Sequence, residues 1–513
     1  MGITPNTSKD QAAVDGRSSS VIERVSLDIV SKAENIGFSQ TRLRLGRYFL
    51  REIDHQQILL WAKVMDMTHE EVLHHLSEYN LSGWVPEDKA NLFEVDNGAI
   101  VSMAWNFDNH PIFASTWMEG LQISKLALHG KNPDSSGALL SFLPAFVAMR
   151  LTTLKCSMDH LGELDLSPVP GLTSLVCDHN GLTELDLSPV PGLTRLECND
   201  NKLIELDLSP VPGLTSLVSG YNELTELDLS PVPGLTSLIS GYNELTELDL
   251  SPVTGLTDLV CDCNELTELD LSPVPGLIRL ECNDNKLIEL DLSPVPGLTS
   301  LWCGDNELIE LGLSPMPGLT WLSCDVNELT ELNLSPVPGL TSLWCQFNKL
   351  TKLDLSPVPR LNSLDCFDNE LTELDLSPVP GLTSLYCGGN KLTELDLSPV
   401  PGLTSLYCGV NKLTELDLSR VPGLTDLVCD CNELTELYLS PVPGLTDLDC
   451  DGNKLTELDL VSVPKLQRLS CLVRGLTDLD LTPVPELLTL VCYDNIRVLN
   501  APEGLTITRE SEI

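Results

Sequence analysis

The sequence predicts a repeat protein of the α/β class, mostly β: a solenoid with a parallel sheet, extended returns on its convex side and a largely helical N-terminal domain. A unit typified by LTRLECNDNKLIELDLSPVPG, beginning at Leu193, recurs every 21 residues. Full copies run from Leu151 to the copy at Leu466, and a shortened copy begins at Leu487, which gives sixteen units and a remnant. The alternation in LxC predicts a strand in each unit. The two prolines of SPVPG exclude a helix from the return, because each fixes φ and removes a donor.

The first half of the unit, LxxLxCxxNxL, resembles the leucine-rich repeat, with Cys where that family usually has Leu and with the family's Asn at Asn201. The second half, LxxLDLSPVPG, resembles the 21-residue bacterial variety, in which LxxLDL closes each coil. The resemblance covers about 350 of the 513 residues and implies the fold. It implies little about activity, because function lies in sites grafted onto folds.

The unit also predicts which side chains form the core. The asparagine column runs from Asn180 to Asn453 without a break and returns at Asn495, and we expect each amide to bond the turn that leaves the strand. Six positions of a coil are expected to face inward: Leu193, Leu196, Cys198, Leu203, Leu206 and Leu208.

The N-terminal region has a different pattern. Helical spacing of apolar residues occurs in VIERVSLDIVSKA from Val21, TRLRLGRYFLREI from Thr41 and QQILLWAKVM from Gln56, and Thr68 with Glu71 predicts a capping box. The expected order is a disordered tail over 1–20, a mainly helical domain over 21–137, a solenoid cap over 138–150, the repeat solenoid over 151–500 and a C-terminal tail over 501–513.

One segment of this region imitates an enzyme motif. A zinc peptidase helix needs two His four residues apart, but His69 is followed at that distance by Leu73, so we predict no metal site and no catalytic residue there. The sequence predicts no cofactor.

The net charge is -45. It disfavours nucleic acid and anionic membrane surfaces as partners, and no apolar run is long enough to span a bilayer. Two columns that contain Glu184 and Asp186 hold 28 of the acids, 15 in one and 13 in the other. Two interpretations stay open: a hydrated convex face that keeps the rod soluble, or calcium bound between coils.

Fifteen of the 17 cysteines lie on one column from Cys156 to Cys492, and Cys263 and Cys431 are out of register. A column of inward thiols predicts reduced core groups and a reducing compartment. We therefore expect a cytoplasmic protein, or one secreted into a host cell cytosol without a cleaved signal peptide.

Aromatic residues are concentrated on the predicted strand face of neighbouring coils. A contiguous set of this kind is typical of a binding surface, and the alternative is packing between strands that rigidifies the sheet. The predicted partner-binding residues are Trp302, Trp321, Trp344, Phe347, Phe367, Tyr386 and Tyr407, with Arg195 and Arg279 as polar flanks.

The leading hypothesis is a non-enzymatic scaffold that binds a protein partner, such as a host protein, through this aromatic face. The architecture is similar to that of type III secreted leucine-rich-repeat effectors, without the ubiquitin-ligase domain that some of them carry after the repeats. Two alternatives are an enzyme whose activity lies in residues 21–150 and a calcium-stabilised surface or structural repeat rod.

Overall fold

The computed structural model describes residues 42–45, 48–64, 67–75, 94–96, 99–106, 121–129, 140, 143–157 and 161–511. The predicted tail over 1–20 and the first predicted helical segment, from Val21, lie outside these residues. The chain divides into two compact units, Met1–Leu235 and Thr236–Ile513.

The first unit combines a short α/β segment with the first repeat strands. Among its described residues the helices are α1 (Glu52–Val64), α2 (His69–His75) and α3 (Ala145–Ala148). Its strands are β1 (Arg42–Leu45), β2 (Tyr48–Arg51), β3 (Glu94–Asp96), β4 (Ala99–Asn106), β5 (Lys125–His129), β6 (Thr153–Ser157), β7 (Ser174–Val176), β8 (Arg195–Glu197) and β9 (Ser216–Val218).

Two of the helix predictions can be compared with this unit. The segment from Gln56 lies in α1, and α2 has the expected capping box: the Glu71 N–H donates to Thr68 Oγ1 at 3.2 Å, and the Thr68 N–H donates to Glu71 Oε2 at 2.7 Å. The segment from Thr41 was expected to be a helix but forms the antiparallel pair β1 and β2 before α1 begins. The Arg and Leu residues over 42–45 alternate with the two-residue period of a strand, which outweighs the weaker helical spacing.

The repeat sheet extends further toward the N terminus than the 21-residue pattern. β3 pairs antiparallel with β4, and then β4, β5, β6, β7, β8 and β9 pair in parallel, each with the next. Asp54 in α1 joins the helices to this sheet, because its Oδ1 accepts the Ile100 N–H at 2.9 Å. Two irregular strands, β4 and β5, therefore precede the first regular coil.

The second unit is one regular array. Its strands are β10 (Ser237–Ile239), β11 (Asp258–Val260), β12 (Arg279–Glu281), β13 (Ser300–Trp302), β14 (Trp321–Ser323), β15 (Ser342–Trp344), β16 (Ser363–Asp365), β17 (Ser384–Tyr386), β18 (Ser405–Tyr407), β19 (Asp426–Val428), β20 (Asp447–Asp449), β21 (Arg468–Cys471), β22 (Asp478–Asp480), β23 (Thr489–Tyr493), β24 (Arg497–Leu499) and β25 (Thr506–Glu510). From β10 through β21 each strand pairs in parallel with the next, with a register step of 21 residues, as for Leu238 and Leu259. β21 then pairs with β23, and β23 with β25, while a separate parallel pair joins β22 and β24.

The interior of each coil is the predicted one. In the coil that begins at Leu193, all six predicted positions are buried, and the most exposed of them, Leu206, shows 8% of its surface. Val211 of the return is also fully buried. Each leucine buried in this way contributes about 2 kcal/mol, and the gain recurs in every coil.

The return contains no helix in the described residues 161–511. It consists of the extended LDL segment and two consecutive turns, in which the Val211 N–H donates to Leu208 O at 3.0 Å and the Leu214 N–H donates to Val211 O at 3.0 Å. Pro212 and Gly213 occupy the centre of the second turn, where their backbone preferences fit.

The asparagine column has the predicted structural role. Nδ2 of Asn201 donates to the carbonyls of Cys177, Cys198 and Asn199 at 3.0 to 3.1 Å, and its Oδ1 accepts the Leu182 N–H at 3.1 Å. Asn201 thus bonds both its own turn and the preceding coil, and the same pattern recurs from Asn264 to Asn453, as for Asn264 and Asn453. These bonds satisfy backbone groups that the tight coil buries.

The aspartates in the column of Asp186 make a hydrogen bond that the sequence analysis did not predict. Oδ1 of Asp186 accepts the Ser188 N–H at 2.9 Å, and the same bond recurs along the column; even Asn333, which replaces one aspartate, accepts the Ser335 N–H at 3.1 Å. At Asp186 the hydrogen bonds from Ser188 lower the pKa of the carboxyl group. The column therefore caps the turns of the return.

Candidate partner-binding surface

The predicted aromatic residues lie on the strand face of the second unit and in the turns that follow the strands. We call the seven of them, which come from β13 to β18 and their turns, the aromatic face: Trp302, Trp321, Trp344, Phe347, Phe367, Tyr386 and Tyr407. Parallel pairing in register places Tyr386 beside Tyr407. Trp321 instead pairs with Ser300 and Ser342, so its ring meets those of Trp302 and Trp344 diagonally across the strands.

Three tryptophans form the first cluster. The ring centroids of Trp302 and Trp321 are 6.0 Å apart, and those of Trp321 and Trp344 are 4.9 Å apart with the rings tilted by 64°. Trp344 is 36% exposed, whereas Trp321 is half-buried and its Nε1 is buried with no hydrogen-bond partner among the described residues.

The two predicted arginine flanks differ in position. Arg279 lies beside the tryptophan cluster, with its guanidinium 5.9 Å from the centroid of the Trp302 ring and with ion pairs to Asp258 at 3.2 Å and Glu281 at 2.6 Å. Arg195 lies on β8 in the other compact unit, where it pairs with Glu197 at 2.5 Å.

The other four aromatic residues line a groove. Phe347 and Phe367 meet edge to face with centroids 5.5 Å apart, and Tyr386 and Tyr407 stack at 4.5 Å. Between these pairs lies a mostly apolar groove of about 190 Å³. Its other lining residues are Gln346, Asp365, Gly388, Gly409, Val428 and Asp430.

Two glycines, which the sequence analysis did not select, keep this groove open. A Cβ on Gly388 would stand 2.9 Å from the Phe367 ring, and one on Gly409 would stand 1.9 Å from Asp430 Oδ1. The signal in the sequence is positional: both residues directly follow the column cysteine, one and two coils after the coil of Phe367.

The polar side chains of the groove include three acceptor groups, on Asp365, Asp430 and Gln346. Asp365 accepts the Phe367 N–H at 3.0 Å, but burial still raises the pKa of its carboxyl group. Gln346 Oε1 is buried without a hydrogen-bond partner in the described part of the chain. No lysine, arginine or histidine is among the lining residues, so the groove combines aromatic rings with uncompensated carboxylates.

The thiol column is part of the core. All 17 cysteines are free, and the fifteen of the column are buried. Burial raises the pKa of these thiols, for Cys156 to about 12. Cys263 and Cys431, with φ of 52° and 50°, occupy the left-handed turn position two residues after the column, which also holds Phe347 at 54°.

The described residues contain neither a metal-binding cluster nor a helix that could span a membrane. In α2 the position that a zinc peptidase would give to His is filled by Leu73, whose side chain is buried. Among the described residues no three His, Cys, Asp or Glu side chains are arranged to hold a metal ion. None of the described helices has the length and apolar character needed to cross a bilayer.

Comparisons with known proteins place this geometry among bacterial repeat proteins. No protein-family model matches the chain, and no curated protein matches it. The functional domain of InlJ from Listeria monocytogenes, described as including a cysteine ladder, is 36% identical with a TM-score of 0.60, and the alignment covers 66% of this chain and 76% of that one.

Two further solved structures are similar. YopM from Yersinia enterocolitica is 29% identical with a TM-score of 0.55, over 70% of this chain and 82% of that one. A leucine-rich repeat protein from Leptospira interrogans is 22% identical with a TM-score of 0.60, over 66% of this chain and 95% of that one, and it shows likeness of fold alone.

Proposed function

The chain belongs to the leucine-rich repeat proteins of the short-repeat bacterial type, and we propose that it is a non-enzymatic scaffold that binds a protein partner through the aromatic face. The observation that carries this proposal is the contiguity of the seven aromatic side chains on neighbouring coils, five on strands and two in the turns that follow them. Large aromatic side chains at the centre of a surface supply most of the energy of a protein interface.

The proposal is supported by a contrast with the same positions in other coils. Where Trp302 and Trp344 stand, Val176 and Val428 stand in other coils, and the position of Trp321 is held by serine in eight other coils. The fold is complete with these smaller residues, so the tryptophans are not needed to build the coil. They are partly exposed, and one of them leaves a buried indole N–H without a partner in the described residues.

We further propose that the protein is a bacterial effector that acts in a reducing cytosol, with a host protein as its partner. The fifteen buried free thiols support a reducing compartment, since none is used as a cross-link. The similarity to YopM supports the comparison with secreted leucine-rich-repeat effectors.

The test replaces the three tryptophans by the residues of other coils, in a Trp302→Val, Trp321→Ser, Trp344→Val variant. Immobilised wild type and variant are each incubated with a eukaryotic cytosolic lysate, and the captured proteins are quantified by mass spectrometry. We expect a partner that is retained by wild type and reduced at least about tenfold by the variant, which corresponds to a loss of 1.4 kcal/mol or more.

The matched control changes three exposed isoleucines outside the aromatic face. Ile204, Ile288 and Ile309 are 57 to 67% exposed, and other coils have threonine at their position, so an Ile204→Thr, Ile288→Thr, Ile309→Thr variant removes comparable apolar surface. Circular dichroism first confirms that both variants fold. Equal capture by wild type and the tryptophan variant would refute the role of the aromatic face.

A further inference from the structure

We propose that the groove between the phenylalanine pair and the tyrosine pair binds an arginine side chain of an extended segment of the protein partner. This inference rests on the proposed function and adds the chemistry of the partner. It concerns Phe347, Phe367, Tyr386 and Tyr407 with the carboxylates of Asp365 and Asp430, all of which line the same groove.

The rings provide stacking surfaces. Tyr386 and Tyr407 are in register on adjacent strands, and Phe367 and Phe347 project from the turns of the two coils before Tyr386. The first residue of the strand is Trp321 in β14 but serine in β16 to β18, at Ser363, Ser384 and Ser405. Small side chains therefore lie beside the tyrosines. A planar guanidinium stacks on aromatic faces and tolerates an apolar wall along its methylene stem.

The acceptors match the five donors of a guanidinium. The carboxylates of Asp365 and Asp430 provide charge, and Gln346 Oε1 is a buried acceptor without a partner among the described residues. A buried acceptor costs free energy until it is bonded, so a donor that reaches it is favoured.

The same chain already contains an arginine in this kind of setting. Arg279 lies over the Trp302 ring and pairs with carboxylates on its own strand and on the preceding strand. The groove around Tyr386 repeats the ring and the carboxylates but has no cationic residue in its lining. The partner supplies the missing cation, and the overall charge of -45 favours its approach.

Backbone groups at the groove favour an extended segment. In other coils an Asp or Asn after the column cysteine accepts the N–H of the next coil, as Asp262 Oδ1 accepts that of Asn283 at 2.7 Å. Phe367 and Gly388 have no such side-chain acceptor, and in the described residues no hydrogen bond is made by the N–H groups of Gly388 and Gly409. These donors match the carbonyls of an extended peptide.

The test uses full-length protein labelled with 3-fluorotyrosine and observed by ¹⁹F NMR. The chain has 8 tyrosines, and Tyr386→Phe and Tyr407→Phe variants assign the two groove signals. The probes are the peptide acetyl-Gly-Ser-Gly-Arg-Gly-Ser-Gly-amide and the same peptide with citrulline, which keeps the shape of the side chain but has no charge.

We expect the arginine peptide to shift both groove signals in a saturable manner. The citrulline peptide should bind at least about tenfold more weakly, and an Asp365→Asn, Asp430→Asn variant should lose at least about tenfold in affinity for the arginine peptide. Asp375→Asn with Asp396→Asn is the matched control, because it removes the same charge from the convex side, where Asn333 shows that asparagine keeps the turn bond.

The outcomes separate this inference from the proposed function. Groove signals that do not move, or that move equally with both peptides, would overturn the arginine assignment. If the tryptophan variant still loses its partner in the capture experiment, the protein-binding role stands with a different partner chemistry. A loss of arginine binding in the convex control as large as in the Asp365 and Asp430 variant would overturn the placement of the ligand in the groove.

Discussion

The coil interior and the aromatic face of the second unit follow opposite rules. In the interior the same Leu, Cys and Asn positions recur in coil after coil, and each asparagine makes hydrogen bonds to two coils, as Asn348 does to Cys324, Cys345, Gln346 and Leu329. On the aromatic face the repeated residues are replaced. There Trp321 Nε1 and Gln346 Oε1 are buried without partners in the described residues.

This difference shows which positions can be substituted to create a binding surface. A repeat can change its outward residues without losing its core, because inward and outward positions alternate along the strand. Positions at which the sequence departs from the repeat pattern are expected to be functional, because the residues of the pattern are already sufficient for folding. The comparison therefore predicts large stability effects from interior changes and small ones from changes on the strand face or in its turns.

The largest expected effect is that of Asn348→Ala. The substitution removes the four hydrogen bonds that Asn348 makes and leaves buried backbone groups of three residues without their side-chain partner. At about 1 to 3 kcal/mol for an unsatisfied buried group, we expect the free energy of unfolding to fall by about 2 to 5 kcal/mol, measured by urea denaturation.

The control for this prediction is Asn362→Thr. Asn362 is exposed, and threonine stands at its position in most coils, so we expect a change within about 0.5 kcal/mol. Similar losses for the two variants would contradict the structural role of the asparagine column.

A change of pH is expected to have a smaller effect on stability. It should act through one of two sets of aspartates, which differ in their burial. Burial raises the pKa of Asp178, Asp262 and Asp449 each to about 6, above the 3.8 of a free side chain. Protonation is then easier in the folded state, so these groups stabilise the fold at low pH, and that contribution is lost as the pH rises through about 6. We expect the Tm to fall between pH 5 and pH 8.

An Asp178→Asn, Asp262→Asn, Asp449→Asn variant should flatten this slope, since asparagine keeps an acceptor oxygen without titrating. The same three changes at Asp186, Asp207 and Asp228 serve as the control. Turn bonds lower the pKa of those carboxyl groups, so their contribution changes only below about pH 4. A wild-type slope in the first variant, measured by thermal denaturation from pH 5 to pH 8, would contradict the assignment.

The smallest effect on stability is expected from Cys431→Ser. Cys431 is exposed in a turn, whereas the fifteen column thiols are buried. We expect an unchanged Tm and the loss of the fastest-reacting thiol in a native titration with Ellman's reagent, with the column thiols reacting only on unfolding. A Cys324→Ser variant that lost the fast phase instead would show that the column is open to solvent.

Much of the fold and part of the site could be predicted from the sequence. The periodicity of Leu193, Cys198 and Asn201 is enough to predict strand, core and turn, because each coil repeats the same local constraints and buries the same positions. The aromatic positions were visible as departures from that period. The role of the aspartates in the column of Asp186 was not predicted, because the composition does not show that each carboxylate accepts the N–H two residues later.

The sequence by itself determined the solenoid, the reduced thiol column and the identity of the aromatic side chains. Only the tertiary structure decided that the rings divide into a tryptophan cluster and a groove, that Gly388 and Gly409 keep the groove open, and that aspartates separate into those with raised and lowered pKa. The physical reason is distance along the chain. The interior is governed by alternation within a few residues, whereas the groove and its charges arise from side chains of successive coils, which meet only when the coils stack.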